Sequence, residues 1–131
     1  MNRYFKEVLD AHELISSWLG NTEADDDICV NLLSHFSPLY TMVTPGGMVL
    51  DFNGLKSFFL SQRGARQGLN IKIHDMQVIV EDTSGATVVY KEEQQLAGQD
   101  ATLRFSTVVF ELSDDDHVIW RHLHETFLLH T

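Results

Sequence analysis

A chain of 131 residues fits one domain, 1–131, large enough to bury roughly 70% of its unfolded surface without covalent staples. Nine basic against nineteen acidic side chains leave a formal charge of −10. That balance argues against nucleic acid and against an anionic membrane as partners, because both demand basic patches.

The 44% hydrophobic and 21% charged residues are ordinary for a globular protein. The single cysteine, Cys29, has no internal partner, which fits a reducing compartment. No basic-then-apolar leader opens the chain and no apolar run approaches a membrane span, so a cytoplasmic protein is expected.

Residues 2–19 predict a helix, with Phe5, Val8, Leu9, His12, Ile15 and Leu19 recurring at helical spacing. Gly20 is placed to end it in a left-handed cap. Thr22 is the expected cap of a second helix whose first turn holds Glu23, Asp25, Asp26 and Asp27. The acidic run lacks the spacing of a calcium loop and reads as a solvated helix start. Ile28, Cys29, Leu32, Leu33 and Phe36 form its buried stripe, and Ser37-Pro38 ends it. Two short strands, 39–44 and 48–51, flank the turn Pro45-Gly46-Gly47. Asn53 is the expected cap of a third helix, 54–63, with Leu55, Phe58 and Phe59 inward.

From Asn70 onward the apolar period changes to two. Thr83-Ser84-Gly85, Gly98-Gln99-Asp100 and Asp114-Asp115-Asp116 divide the remainder into four long strands of a meander. Helices followed by antiparallel strands is the pattern of an α+β domain. In the last strand, expected over 118–129, Val118, Trp120, His122, His124, Thr126 and Leu128 share one parity. Ile119, Arg121, Leu123, Glu125, Phe127 and Leu129 share the other. Both faces are half apolar and both carry ionisable groups, so both are covered: one by a pocket, the other by a second subunit. His122 and His124 point the same way, but Glu125 points to the opposite face and no neighbour completes a ligand set. No metal and no cofactor is expected.

Several features together resemble the nuclear-transport-factor-two-like superfamily of ketosteroid isomerases, SnoaL-like polyketide cyclases and kinase association domains. They are the element order, Phe36-Ser37-Pro38 leading into Thr44-Pro45-Gly46-Gly47, Phe52-Asn53-Gly54 opening the third helix, and the final strand. Val118, His122, His124 and Thr126 match the ending of the association domains. The resemblance implies an α+β cone, a curved antiparallel β-sheet wrapped around N-terminal helices with an internal pocket. Aligned on the turn at Gly98, it puts Tyr90, Glu92, Gln94 and Leu96 on the concave side. Leu103, Phe105 and Thr107 face them, and Arg121, Leu123 and Glu125 point inward. Trp120, His122 and His124 fall on the outer face, where relatives pair, which implies a homodimer. Trp18 is assigned to the pocket mouth, with a plain core position as the alternative.

The isomerase template needs a carboxylate base and two acidic donors. Those positions hold Thr44, His12 or Glu13, and Thr107, so that mechanism is not expected. The epoxide hydrolases of the superfamily use a carboxylate–arginine–carboxylate set. Glu92, Arg121 and Glu125 are therefore the candidate catalytic residues, although Leu123 stands where those enzymes have an aspartate. The plainer reading is a buried cation neutralised by two glutamates. Glu125 also stands where association domains carry an arginine, which implies a cationic or hydrogen-bond-donating ligand. The expected function is a dimeric domain binding a small, partly apolar molecule. The alternatives are a SnoaL-like or epoxide-hydrolase-like enzyme and an oligomerisation module.

Overall fold

The computed structural model describes residues 1–128. Three helices, α1 (Arg3–Leu19), α2 (Asp26–Ser34) and α3 (Phe52–Ser61), accompany six strands. These are β1 (Phe36–Val43), β2 (Val49–Asp51), β3 (Asn70–Asp82), β4 (Gly85–Gln95), β5 (Thr102–Leu112) and β6 (Val118–Phe127). They form one sheet in the order β2-β1-β6-β5-β4-β3. The last strand, expected to reach Leu129, ends at Phe127 with Leu128 outside it, and Leu129 itself lies outside the described residues. No helix among the described residues is long and apolar enough to cross a membrane.

The helix starts differ from the expected ones for a local reason: a carboxylate or amide nearer the first turn takes the capping role. Asn2 accepts from the Tyr4 and Phe5 N–H groups at 2.8 and 3.3 Å. Asp25, not Thr22, caps α2 by accepting from the Asp27 N–H at 2.8 Å. Asp51, not Asn53, caps α3 through the Gly54 N–H at 2.9 Å. Gly20 ends α1 at φ −90°, ψ −4°, so it is not a left-handed cap. What demands glycine there is space, because a Cβ would lie 2.5 Å from the Ser16 carbonyl oxygen.

The meander β3–β4–β5–β6 is antiparallel throughout, as its alternation predicts. The strand β1 instead runs parallel to β6, with β2 antiparallel on its far side, so the sheet is mixed at that edge. Ser37 and Pro38 lie inside β1 rather than ending a helix. Pro38 is tolerated because the ladder to β6 is interrupted between Phe36 and Thr41.

The face of α1 that carries Tyr4, Val8, Ala11, His12, Trp18 and Leu19 is buried. Its side chains reach the concave side of the sheet, where Tyr4 stacks on Phe110 at 5.7 Å and His12 meets the Tyr90 ring edge-on at 5.5 Å.

One irregularity decides which residues face inward. Along β6, Leu123 opposes Val108 and His122 opposes Val109, but Trp120 opposes Phe110, so Arg121 is an extra residue in the ladder. Such a bulge changes the parity of the strand. Leu123 and Glu125 point inward beyond it and Trp120 points inward before it.

Candidate functional site

A cavity of about 480 Å³ opens between the concave face of the sheet, α1 and α3. Most of its wall is apolar: Ile15 and Leu19 from α1, Phe36 and Met42 from β1, Leu50, Leu55 and Phe59 around α3, and Trp120 and Leu123 from β6. Met48 and Phe58 line it as well and are solvent-exposed, which puts them at the mouth. Against this wall stands a polar cluster of His12, Glu92, Gln94, Arg104 and Glu125, with Arg66 bonded to its edge.

Strand parity explains the membership. Residues directly opposite one another in a ladder share a face. Glu92 opposes Arg104, Tyr90 opposes Ser106, and Ser106 opposes Glu125. The inward residues of β5 are therefore Arg104, Ser106 and Val108. The expected Leu103, Phe105 and Thr107 sit on the other parity, and Thr107 opposes the outward His124. The bulge accounts for the two corrections on β6. Trp120 is not an outer-face residue but a buried wall residue, its ring 4.9 Å from Phe110 and its N–H donating to Glu7 Oε2 at 2.9 Å. Arg121 is not in the cavity; it pairs with Glu111 at 3.4 Å and donates to the Leu39 carbonyl at 2.6 Å.

Among the other expected residues, Glu92, Gln94, Leu123 and Glu125 stand on the cavity wall. Tyr90 shares their parity but is fully buried behind His12 and does not line the cavity. Trp18 is core rather than mouth: its indole N–H donates to the Phe59 carbonyl at 2.7 Å, and Arg63 lies over its ring. His122 and His124 face outward, His122 bonded to Thr41 Oγ1 at 2.7 Å.

Both ring nitrogens of His12 meet acceptors, Nδ1 the Val8 carbonyl at 2.7 Å and Nε2 the Glu92 carboxylate at 3.0 Å. Two acceptors demand two N–H groups, so the geometry selects the imidazolium. Burial opposes the charge, but the Glu92 carboxylate outweighs it, and the His12 pKa is raised. Burial likewise opposes ionisation of Glu92, yet the His12 charge and hydrogen bond, with help from Arg104 and Gln94, hold its pKa down. Gln94 donates to Glu92 at 2.5 Å and accepts from Arg66 at 2.8 Å. Glu125 differs. Burial and the neighbouring Glu92 charge raise its pKa, and Arg104 only partly offsets them across a 3.4 Å contact. The cluster thus holds one carboxylate whose pKa is held down and one whose pKa is pushed up.

His12, Arg104, Arg66 and Tyr40 line this site without having been assigned to it from the sequence. His12 carried a signal, a polar residue on the apolar stripe of α1. Arg104 carried none, because both parities of β5 are largely apolar. Among the described residues, no group of three or more His, Cys, Asp or Glu is placed to hold a metal ion.

No protein-family model and no curated protein matches the chain. Solved structures do. The association domain of C. elegans CaMKII is 13% identical, covers 94% of this chain and 94% of its own, and superposes with a TM-score of 0.69. A ketosteroid isomerase-like protein from Erwinia carotovora atroseptica is 11% identical over 78% of this chain and 82% of its own, with a TM-score of 0.59. At those identities the likeness shows the fold alone. An NTF-2 like protein of unknown function from Pseudomonas aeruginosa is 37% identical over 97% of this chain and 99% of its own, with a TM-score of 0.91. With sequence, length and fold shared to that extent, the chain belongs to the NTF2-like family.

Proposed function

We propose that this domain binds a small, largely apolar molecule in its cavity and works as a homodimer. The observation that carries the binding reading is the cavity itself: about 480 Å³, apolar over most of its wall, with one polar cluster on that wall. That combination is typical of small-molecule sites, where apolar surface supplies affinity and a few polar groups fix orientation. Pairing is supported by the outward face of the sheet. The ladder there sets Val80, Thr87, Val109 and His122 in one row, and Gln77, Val89, Thr107 and His124 in the next. A face of this mixed kind suits a two-fold contact.

Native mass spectrometry of the purified protein tests both parts, through a retained small-molecule adduct and through the mass of a pair. Isothermal titration with octanol supplies an independent test of the cavity. A monomer that carries no adduct and takes up no octanol overturns the reading. Sedimentation of His122→Gln/His124→Gln then tests the face, because a dimer as tight as wild type places the contact elsewhere.

A second reading, an enzyme moving protons, is favoured by one observation: Glu125 has a raised pKa beside Arg104. Arg104 between Glu92 and Glu125, rather than Arg121, offers the carboxylate–arginine–carboxylate set of that template. Ser106 follows Arg104 by two, where the epoxide hydrolases have an aspartate. Turnover of styrene oxide that vanishes in Glu125→Gln supports this reading, and no turnover by wild type removes it.

A further inference from the structure

The cavity holds an arginine with unused capacity. A guanidinium offers five N–H donors in one plane. Among the described residues, Arg104 makes a single side-chain hydrogen bond, to Glu125 at 3.4 Å, and its Nε–H is buried without an acceptor. The guanidinium carbon lies 5.3 Å from the centre of the Phe127 ring, which leaves the N–H groups as the part of the side chain that can take a polar partner. In-plane approach to two N–H groups is the geometry that suits a carboxylate.

The charges around it agree. His12 and Glu92 neutralise each other at 3.0 Å. That leaves Arg104 and the rim Arg66 against Glu125 alone. A cationic ligand, one of the two kinds that Glu125 implies by standing where association domains carry an arginine, meets two guanidiniums instead. Among the described residues, the rest of the wall is largely apolar and has no second cationic pair for a multiply charged anion.

We propose that the ligand is a lipophilic monocarboxylate whose head seats on the free edge of Arg104, and that its binding is coupled to protonation of Glu125. This rests on the small-molecule reading above and names the ligand class for the same cavity. The coupling follows from electrostatics, since two ionised carboxylates cannot share one buried guanidinium without strong repulsion. Glu125 is faced by Arg104 and Ser106 from β5, Glu92 and Tyr90 from β4, Tyr40 from β1 and His12 from α1. Its pKa is already raised, so it is the carboxyl that takes up the proton. Glu92 stays ionised on His12. A group whose pKa rises on binding makes affinity fall as pH climbs through the interval between its free and bound values.

Isothermal titration with octanoate, octanol and octylamine tests this on the intact protein. Octanoate is expected to bind at least about tenfold more tightly than octanol, as a charge-assisted contact implies, and octylamine not at all. Heats in two buffers of different ionisation enthalpy should show net proton uptake with octanoate and none with octanol. Octanoate stays ionised above about pH 6, so above that pH its affinity should fall as pH climbs, by no more than about tenfold per unit, while octanol affinity stays flat. Glu125→Gln should keep octanoate binding but lose the proton uptake. Arg104→Met should erase the preference over octanol; should that variant not fold, the wild-type preference and proton count decide alone. Octanol binding as tightly as octanoate, or a preference that survives Arg104→Met, overturns the proposal and leaves the cavity reading intact. None of the three probes binding overturns both.

Discussion

The pair His12–Glu92 offers the sharpest test of how the cluster is held. Glu92 is only 3% exposed and accepts from His12 at 3.0 Å and from Gln94 at 2.5 Å. Two hydrogen bonds to a charged group contribute roughly 1.5–3 kcal/mol each, or about 3–6 together. Replacing Glu92 by Leu forfeits them but also removes a buried carboxylate, which returns several kcal/mol of desolvation. A net loss of about 2–4 kcal/mol is expected for Glu92→Leu, and a similar loss for His12→Leu, because each strands a buried partner. The double variant should lose little more than either single one, giving a coupling energy of about 2 kcal/mol or more.

The coupling should also depend on pH. His12 has a raised folded pKa, so its contribution is fully present below its free value of 6.5 and is lost as pH rises through the folded value. Glu92 has a lowered one, so its contribution is present above its free value of 4.5 and is lost as pH falls through the folded value. The coupling is therefore largest between 4.5 and 6.5 and should shrink at alkaline pH. Urea unfolding followed by circular dichroism, at one protein concentration and at about pH 5.5 and about pH 9, measures the cycle. Additive losses within about 0.5 kcal/mol, or a coupling unchanged between the two pH values, refute the ion pair.

Three further outcomes separate the wall of the cavity from its surroundings. Trp18→Phe removes the bond to the Phe59 carbonyl and should cost about 1–3 kcal/mol in urea unfolding, while octanol affinity stays within about twofold of wild type. Arg121→Ala should change stability by less than about 1 kcal/mol, because its ion pair with the half-exposed Glu111 is screened. A larger loss on denaturation would mean that the bulge depends on that side chain. Gly85→Ala puts a Cβ 2.0 Å from the Phe110 carbonyl oxygen, so a thermal melt should report about 2–4 kcal/mol of destabilisation as β4 and β5 are forced apart.

Much of this architecture is legible in the chain, because apolar period is a direct consequence of burial. The switch at Asn70 marks where the helical half becomes the meander. The position of β1 is less legible, since a parallel partner at the far end of the chain leaves no local mark on residues 36–43. Helix caps were missed by a few residues because several acidic or amide side chains compete for the same orphan N–H groups. On the site, Glu92, Gln94, Leu123 and Glu125 were placed by the registration that the family resemblance implies, and alternation along β4 and along β6 beyond Arg121 keeps them on one face. Arg104 and Trp120 did not, for different reasons. Both parities of β5 are similarly apolar, so only pairing to Glu92 reveals which one is inward. A bulge at Arg121 shifts parity without any glycine or proline to announce it, so alternation carried across it places Trp120 and Arg121 on the wrong faces.

The placement of the two tryptophans has an optical consequence. Both indoles are buried and both N–H groups are engaged, Trp18 on a carbonyl and Trp120 on the Glu7 carboxylate. Only the Trp120 ring forms part of the cavity wall. Occupancy of the cavity therefore acts directly on one emitter, while the other stands behind the wall and serves as a reference. The chain carries its own reporter and its own reference, and Trp18→Phe isolates the reporter without touching the wall.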